Sequence, residues 1–462
     1  MELTQAYNRG LNDIKGRLMG SHQHQALKWA LGRELNDGPK GGVLALDMGL
    51  GKTYVMTALL KANPKRATLI IVPISIIHQW RDILSSFGGF SVLLLDRQTP
   101  LHRLPEETTV VITGYPMFSH KPRKGFPTIL RSTKWNRILL DEGHLIKNTK
   151  GSTFNNLNKF CADIKWVVSA TPVQNCMRDL DAPIQWIGCP KNHKEFKDEF
   201  LLKQSMEQVG ANNPRMQLPK LESQIVKLDF GSSEEQALYA SVEKDFAIQI
   251  EKTKKGTTLT SAALEGILRC RQACSHPEVC LDFFKRRKRK VCDGVESTKY
   301  KYVCTDLLTH KKEKAIVFCI WTNEIHLLMN YLNKNGVSAI KFDGKMSREQ
   351  REVAISNFTN TDIRVLIIQI NAGGLGLNLQ AATRVYIISP TWNPCQELQA
   401  IARSHRLGQE NIVKCFRLVI KDTVEDRITY IQDKKLALIS DCFDDTSVVR
   451  KMGSDILALL VS

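Results

Sequence analysis

The fold class this sequence predicts is α/β, with two open parallel-sheet lobes joined by a helical insertion. Three observations predict it. A strand, a glycine-bearing turn and a helix follow one another around Leu46–Thr53. Strand and helix patterns then alternate, which is the signature of a parallel sheet with helices on its faces. A second alternation begins at Ala315, after a polar, helix-prone stretch from Asp179 to Cys292 that breaks the first. The predicted organisation is a leader over 1–20, a first lobe over 21–178 and an insertion with a basic loop over 179–292. A second lobe over 293–440 and a helical tail over 441–462 complete it.

Composition narrows the class of partner. A chain of 462 residues with 43% hydrophobic and 24% charged residues has the make-up of soluble globular protein with two or three cores. Its net charge of +18 points to a polyanion, nucleic acid before anionic membrane, with a merely basic surface as the plainer alternative. Residues 1–10 are polar and predict no secretory leader, and the apolar runs are too short to span a bilayer. Twelve cysteines scattered through apolar strings fit reduced thiols in an intracellular protein. Cys270, Cys274, His276, Cys280 and Cys292 lack any Cys-x-x-Cys pair, so zinc is not expected there.

Taken in order, His22–Trp29 starts a helix with Ala26, Leu27, Ala30 and Leu31 at helical spacing. The apolar run Gly42–Leu46 reads as a buried strand and Tyr54–Lys61 as a helix. Between them Asp47, Met48, Gly49, Leu50, Gly51, Lys52 and Thr53 form a phosphate-holding turn. Glycines admit phosphate oxygens close to backbone N–H groups, and a helix N-terminus adds partial positive charge. Lys52 is placed to reach the β- and γ-phosphates of ATP, and the Thr53 hydroxyl to ligate Mg²⁺. Leu46 stands where the first glycine of such a loop is usual. Gln23, just upstream, can read an adenine edge because its amide donates and accepts together.

Strands are expected at 67–72, 90–95, 109–113 and 137–140, with a helix at 74–84. Asp141-Glu142-Gly143-His144 ends the last of these strands, with the phosphate loop expected on a neighbouring one. Two carboxylates where a buried strand exits are costly unless a cation is there. Mg²⁺ with ATP supplies that cation: Asp141 holds the metal through water and Glu142 polarises the attacking water as general base. A further strand, 166–168, ends in Ser169-Ala170-Thr171-Pro172, whose hydroxyls can sense the γ-phosphate and relay its loss.

The run Lys285–Lys290 must face solvent or phosphate: a nuclear import signal, a nucleic-acid patch or a solvated loop. Strands at 315–319, 337–342, 364–370 and 384–388, with helices at 324–332 and 347–358, build the second lobe. It carries Gly373-Gly374-Leu375-Gly376-Leu377-Asn378, then Gln396–Gln409 with Arg403 and Arg406. Three apart, these arginines project from one face if helical. From there they could stabilise charge on a transferred phosphoryl group.

The order of these motifs resembles the Swi/Snf-type ATPases of helicase superfamily two, from about Leu18 to about Asp426. His22–Trp29 is similar to the adenine-reading segment and Asp47–Thr53 to the phosphate loop. Ile71-Val72-Pro73 with Trp80 resembles motif Ia, and Thr113-Gly114-Tyr115 motif Ib. Asp141–Asn148 resembles the DEAH-like metal box, and Ser169–Asn175 motif III. In the second lobe Phe342–Gly344, Ala372–Asn378 and Ala402–Gln409 resemble motifs IVa, V and VI. Arg271–Pro277 resembles an inter-lobe segment, which argues further against zinc.

The resemblance implies two RecA-like lobes, ATP with Mg²⁺ between them, and duplex DNA gripped through its phosphates. It also implies Arg403 and Arg406 as arginine fingers, with coupling roles for Ser169, Thr171, Gly374, Gly376 and Gln399. The implied activity is DNA-stimulated ATP hydrolysis driving translocation, acting on protein–DNA complexes, chromatin or the transcription machinery in a nucleus. Leu46 replaces an acidic residue, Ala402 an aspartate, and Gln369-Ile370-Asn371 a Ser-Leu-Arg-like lead. Paired arginines between Glu199 and Leu218 are not evident. The compact motor resembles baculovirus global transactivators, and its motifs also lie close to transcription-termination ATPases. A DNA-binding regulator with little ATPase activity and a strand-separating or RNA helicase remain the alternatives.

Overall fold

The computed structural model describes residues 3–8, 18, 20–97, 99, 103–119, 126–174, 176–189, 192–213, 216–253, 259–280, 295–371 and 377–444. The chain divides into two compact units: among the described residues the first comprises those up to Gln217 together with those from Leu438 on, and the second those from Leu218 to Ala437. Each is an α/β layer structure built on one wholly parallel sheet, the fold class that the alternating pattern predicts. Among the described residues no helix is long and apolar enough to cross a membrane.

In the first unit α1 (Ser21–Leu35) precedes β1 (Lys40–Leu46), and α2 (Lys52–Ala62) follows it. Then come β2 (Thr68–Val72), α3 (Ile77–Phe87), β3 (Val92–Leu95) and β4 (Val110–Gly114). The unit closes with β5 (Trp135–Asp141), β6 (Ala162–Val168) and β7 (Leu201–Gln204). The sheet order is β3-β4-β2-β5-β6-β1-β7. Strands β2 and β4 are buried at every residue, as expected of a sheet covered on both faces.

The sheet order corrects one expectation: the phosphate-loop strand and the acid-box strand are not neighbours, because β6 lies between them. Register brings their ends level nonetheless, since Val168 of β6 pairs with Leu44 on one side and Asp141 on the other. All three strands run the same way, so the loops leaving them emerge at one edge.

A buried ion pair fastens this unit. Arg137 on β5 donates from Nε to Glu34 Oε1 at 2.7 Å, and both side chains are essentially inaccessible. Trp166 Nε1 (2.9 Å) and Asn63 Nδ2 (2.7 Å) also donate to the Glu34 carboxylate. Breaking such a pair by removing one partner costs about 3–5 kcal/mol.

The second unit contains β8 (Leu221–Leu228), the helical hairpin α4 (Ser233–Thr253) and α5 (Leu259–Ser275), and α6 (Thr298–Thr309). It continues through β9 (Ala315–Cys319), α7 (Thr322–Lys334), β10 (Ala339–Phe342), α8 (Arg348–Asn360), β11 (Val365–Gln369) and β12 (Arg384–Ile387). The last elements are α9 (Pro394–Ile401), β13 (Val413–Ile420) and α10 (Val424–Asp444), which belongs to this unit as far as Ala437, and the sheet order is β10-β11-β9-β12-β13-β8.

The stretch 179–292, expected to be a helical insertion with a basic loop, therefore also supplies a strand to each sheet, β7 and β8. Both are edge strands and partly exposed, so they lack the apolar run that marks a buried strand. The hairpin closes on Gly266, where an added Cβ would lie 1.8 Å from the Phe246 ring. Cys270, Cys274 and Cys280 pack with Tyr239, Val242 and Ile428 in an apolar cluster, and His276 lies against the Tyr300 ring at 5.0 Å. Lys299 and Glu425 form a second ion pair, fully buried at 2.6 Å, in which Lys299 also donates to Ile388 O.

Candidate nucleotide site

The loop Asp47–Thr53 leaves β1 and turns directly into α2. Gly49 and Gly51 hold φ of +84° and +81°, a region that side chains disfavour, and Gly51 caps α2. Crowding is a second reason for glycine at Gly51: a Cβ there would stand 2.2 Å from Gln23 Nε2. Gln23 is buried and donates to Leu50 O at 3.0 Å, with His22 Nε2 3.2 Å from the same carbonyl. The helix α1 is thus tied to the Asp47–Thr53 loop itself.

Lys52, on the first turn of α2, donates to Leu46 O (2.8 Å) and Asp47 O (3.2 Å). The ammonium lies across the mouth of the loop on neutral carbonyls, which a phosphate oxygen could replace as acceptor. Met48 and Thr53 are half-buried, Leu50 is buried and Gly49 is exposed. The Asp47 carboxylate accepts from Met206 N at 2.9 Å, and Asp47 N donates to Gln204 O at 3.0 Å. This link from the loop to the end of β7 had no signal in the sequence, because more than 150 residues separate its ends.

Asp141 ends β5, 5% exposed. Its Oδ2 accepts from Trp80 Nε1 at 2.7 Å and its Oδ1 from Glu142 N at 2.9 Å, while Tyr115 OH donates to Asp141 O at 2.8 Å. Burial first, and the adjacent Glu142 carboxylate second, push the Asp141 carboxyl up to about 6, against the Trp80 bond and Lys52, which favour the charged form. Glu142 sits at φ +52°, a conformation costing a non-glycine residue roughly 1–2 kcal/mol. Gly143 follows because a Cβ would lie 2.3 Å from Val167 Cγ1. Strain of this kind persists where surrounding structure over-determines it, and it clusters at functional sites.

The acid box joins the end of β6 through His144. Its Nδ1 lies 3.3 Å from Glu142 Oε2 and 3.2 Å from Ser169 Oγ. Ser169 Oγ in turn accepts from Thr171 N at 3.2 Å. Gln174 Nε2 reaches Thr171 Oγ1 at 3.5 Å, and Lys147 Nζ donates to Gln174 Oε1 at 2.9 Å. Ser169 and Thr171 are therefore connected to Glu142 by a continuous polar chain, in which His144, Gln174 and Lys147 are members that spacing alone did not single out.

The residues fit a divalent cation with nucleotide. Two carboxylates crowd a strand end where one is already driven toward its neutral form, and an added cation reverses that pressure. Each Asp141 oxygen carries one hydrogen bond and keeps a second lone pair. Thr53 and Asp141, the expected metal-holding pair, leave the same sheet edge.

In the second unit Arg403 and Arg406 do not lie on a helix, contrary to the three-apart helical reading. The helix α9 stops at Ile401, and both residues occupy the turns that follow. Backbone bonds from Arg403 N to Ala400 O and His405 N to Ile401 O tighten that exit. The loop is fixed by side chains on backbone carbonyls: Ser404 Oγ on Ala382 O, His405 Nε2 on Pro219 O, and Gln409 Nε2 on Gln380 O at 2.9 Å. Arg406 Nη1 is 3.5 Å from Leu377 O, and burial lowers its pKa. Gln399 is half-buried on α9. Gly374, Gly376, Cys292 and the basic run 285–290 lie outside the described residues.

Residues 22–208 match the SNF2-related domain, and residues 298–408 match the helicase conserved C-terminal domain, together more than half of the chain. This chain belongs to the Swi/Snf-type family. It is a helicase-like ATP hydrolase of the DNA-dependent ATPase class. Among curated relatives, a "Probable global transactivator" of Orgyia pseudotsugata multicapsid polyhedrosis virus is 26% identical over 92% of this chain and 92% of its own. The Arabidopsis thaliana "CHD3-type chromatin-remodeling factor CHR7" is 26% identical over 86% of this chain and 35% of its own. The human "SWI/SNF-related matrix-associated actin-dependent regulator of chromatin subfamily A member 1" is 27% identical over 92% and 44%. The Swi/Snf-type chain thus spans nearly all of the viral relative and half or less of the cellular ones. A solved "Sulfolobus solfataricus SWI2/SNF2 ATPase core in complex with dsDNA" aligns at a TM-score of 0.41 and 21% identity, covering 95% of this chain and 96% of that one.

Proposed function

We propose that this chain hydrolyses ATP to translocate on duplex DNA, remodelling protein–DNA complexes or regulating transcription in a nucleus. The observation that carries the reading is the single register line Leu44–Val168–Asp141, which delivers the phosphate loop, the acid box and Ser169 to one edge of one sheet. Names of relatives add support, one a transactivator and others chromatin-remodelling factors.

In this reading the backbone of Asp47–Gly51 and the N-terminus of α2 cradle the phosphates, and Gln23 reads the adenine. Lys52 exchanges its carbonyl partners for phosphate oxygens. Thr53 and Asp141 hold Mg²⁺, which when bound offsets phosphate charge. Glu142 orients and deprotonates the attacking water, and His144 passes its state to Ser169 and Thr171. Arg403 and Arg406 stabilise charge on the phosphoryl group, and Gln399, Gly374 and Gly376 couple hydrolysis to movement. Catalysis is then mainly positioning and charge stabilisation.

Contacts to DNA go chiefly to phosphates, consistent with the +18 net charge, so binding is weakly sequence-dependent and falls steeply with salt. Steady-state hydrolysis with and without duplex DNA tests the reading. Stimulation by duplex DNA over single strands or RNA is expected. No turnover under any condition would leave a DNA-binding regulator, and preference for RNA or strand separation would leave a helicase.

A further inference from the structure

Asp141 is held by two aromatic side chains that belong to other segments. Trp80, on α3, is 1% exposed and donates its indole N–H to Asp141 Oδ2 at 2.7 Å. Tyr115, just beyond β4, is 6% exposed and donates to the Asp141 backbone carbonyl at 2.8 Å. The first bond fixes the carboxylate and the second fixes the strand end that bears it.

Resting on the nucleotide reading above, we infer that Trp80 is a positioning residue for the divalent cation, setting the orientation in which Asp141 presents its free lone pairs. A carboxylate turns readily about its last torsion, where the energy wells are broad. Beside the Glu142 carboxylate an unrestrained Asp141 would rotate away from like charge. An indole N–H is a donor only, so its bond to Oδ2 cannot reverse, and the rest of the ring keeps water away. Outer-shell donors to ligating groups tune metal affinity in this manner. A core tryptophan that merely satisfies its own N–H would have no such effect on the metal.

The test measures equilibrium binding of a fluorescent ADP analogue to the full chain, first without metal and then across a Mg²⁺ titration, so no turnover is needed. Trp80→Phe should raise the Mg²⁺ midpoint about tenfold or more while leaving metal-free nucleotide affinity unchanged. Site-specific replacement of Trp80 by 3-benzothienyl-alanine keeps the ring shape and deletes only the N–H, and it decides the matter if the phenylalanine variant does not fold. Tyr115→Phe should shift the midpoint less, because it acts through the backbone. An unchanged midpoint in the benzothienyl variant overturns the inference even if its melting temperature falls. Binding by the unaltered protein that ignores Mg²⁺ would instead overturn the nucleotide-site reading, and this inference with it.

Discussion

The two units hold their candidate site loops by different means. In the first, charge and strain are concentrated at one sheet edge: Asp141 is driven up to about 6 by burial and a neighbouring carboxylate, and Glu142 sits at φ +52°. In the second, the loop 402–409 is pinned by serine, glutamine and histidine side chains on backbone carbonyls. The buried pair Lys299–Glu425 is matched within itself. One unit holds groups under pressure that a ligand can relieve, and the other holds two guanidiniums on a loop bonded to backbone carbonyls. The contrast teaches that a loop can be pre-organised either by crowding charge at a strand end or by hydrogen-bonding side chains to backbone carbonyls.

The largest expected effect would break this comparison if it failed. Arg403→Ala and Arg406→Ala should each lower the rate constant for ATP hydrolysis by roughly 10³-fold or more, the scale of an arginine finger, with nucleotide binding retained. Undiminished turnover would make the second unit a scaffold alone. Next, Glu142→Gln should cost about 10²–10⁴ in rate, the range of a positioned general base, with DNA binding intact in a filter or anisotropy assay. Lys52→Ala should likewise abolish turnover while sparing much of the DNA binding.

Stability sharpens the comparison further. Arg137→Met strands the Glu34 carboxylate in the first core and should destabilise that unit by about 3–5 kcal/mol. Lys299→Met strands Glu425 and should do the same to the second. Denaturant unfolding followed by hydrogen exchange should show each loss confined to its own unit.

The smallest effects are in pH. The Asp141 pKa lies above its ordinary 3.8 in the folded chain, so ionisation costs the metal-free fold stability. That contribution is favourable at low pH and is lost as pH rises through about 6, and Asp141→Asn should flatten it. Mg²⁺-supported nucleotide binding should run the other way, weakening as pH falls through about 6. His276 shows the opposite sign: burial lowers its pKa from 6.5 to about 4, so its contribution to stability is full above 6.5 and is lost as pH falls toward 4. Thermal melts at pH 4 to 7 with and without the His276→Phe change separate the two.

Much of the candidate site was legible because its signals are local. A glycine pair before Lys52, an apolar run ending in two carboxylates, and hydroxyls at the end of Trp166–Val168 each follow from constraints within a few residues. The strands β7 and β8 were not legible, since edge strands need no continuous apolar run. The three-residue spacing of Arg403 and Arg406 shows that they would share a face if helical, but not that the helix stops at Ile401.

The sequence by itself determined the two alternating blocks, the phosphate loop after β1 and the acid box after β5. Periodicity, glycine freedom and the cost of burying charge all act along the chain. Only the tertiary structure decided that β6 separates those strands, that Trp80 and Tyr115 grip Asp141, and that Asp47 is tied to Met206. It also decided that Arg137 finds Glu34, 103 residues away. The reason is physical: a hydrogen bond or ion pair between distant segments depends on strand order and register, which the whole core sets at once.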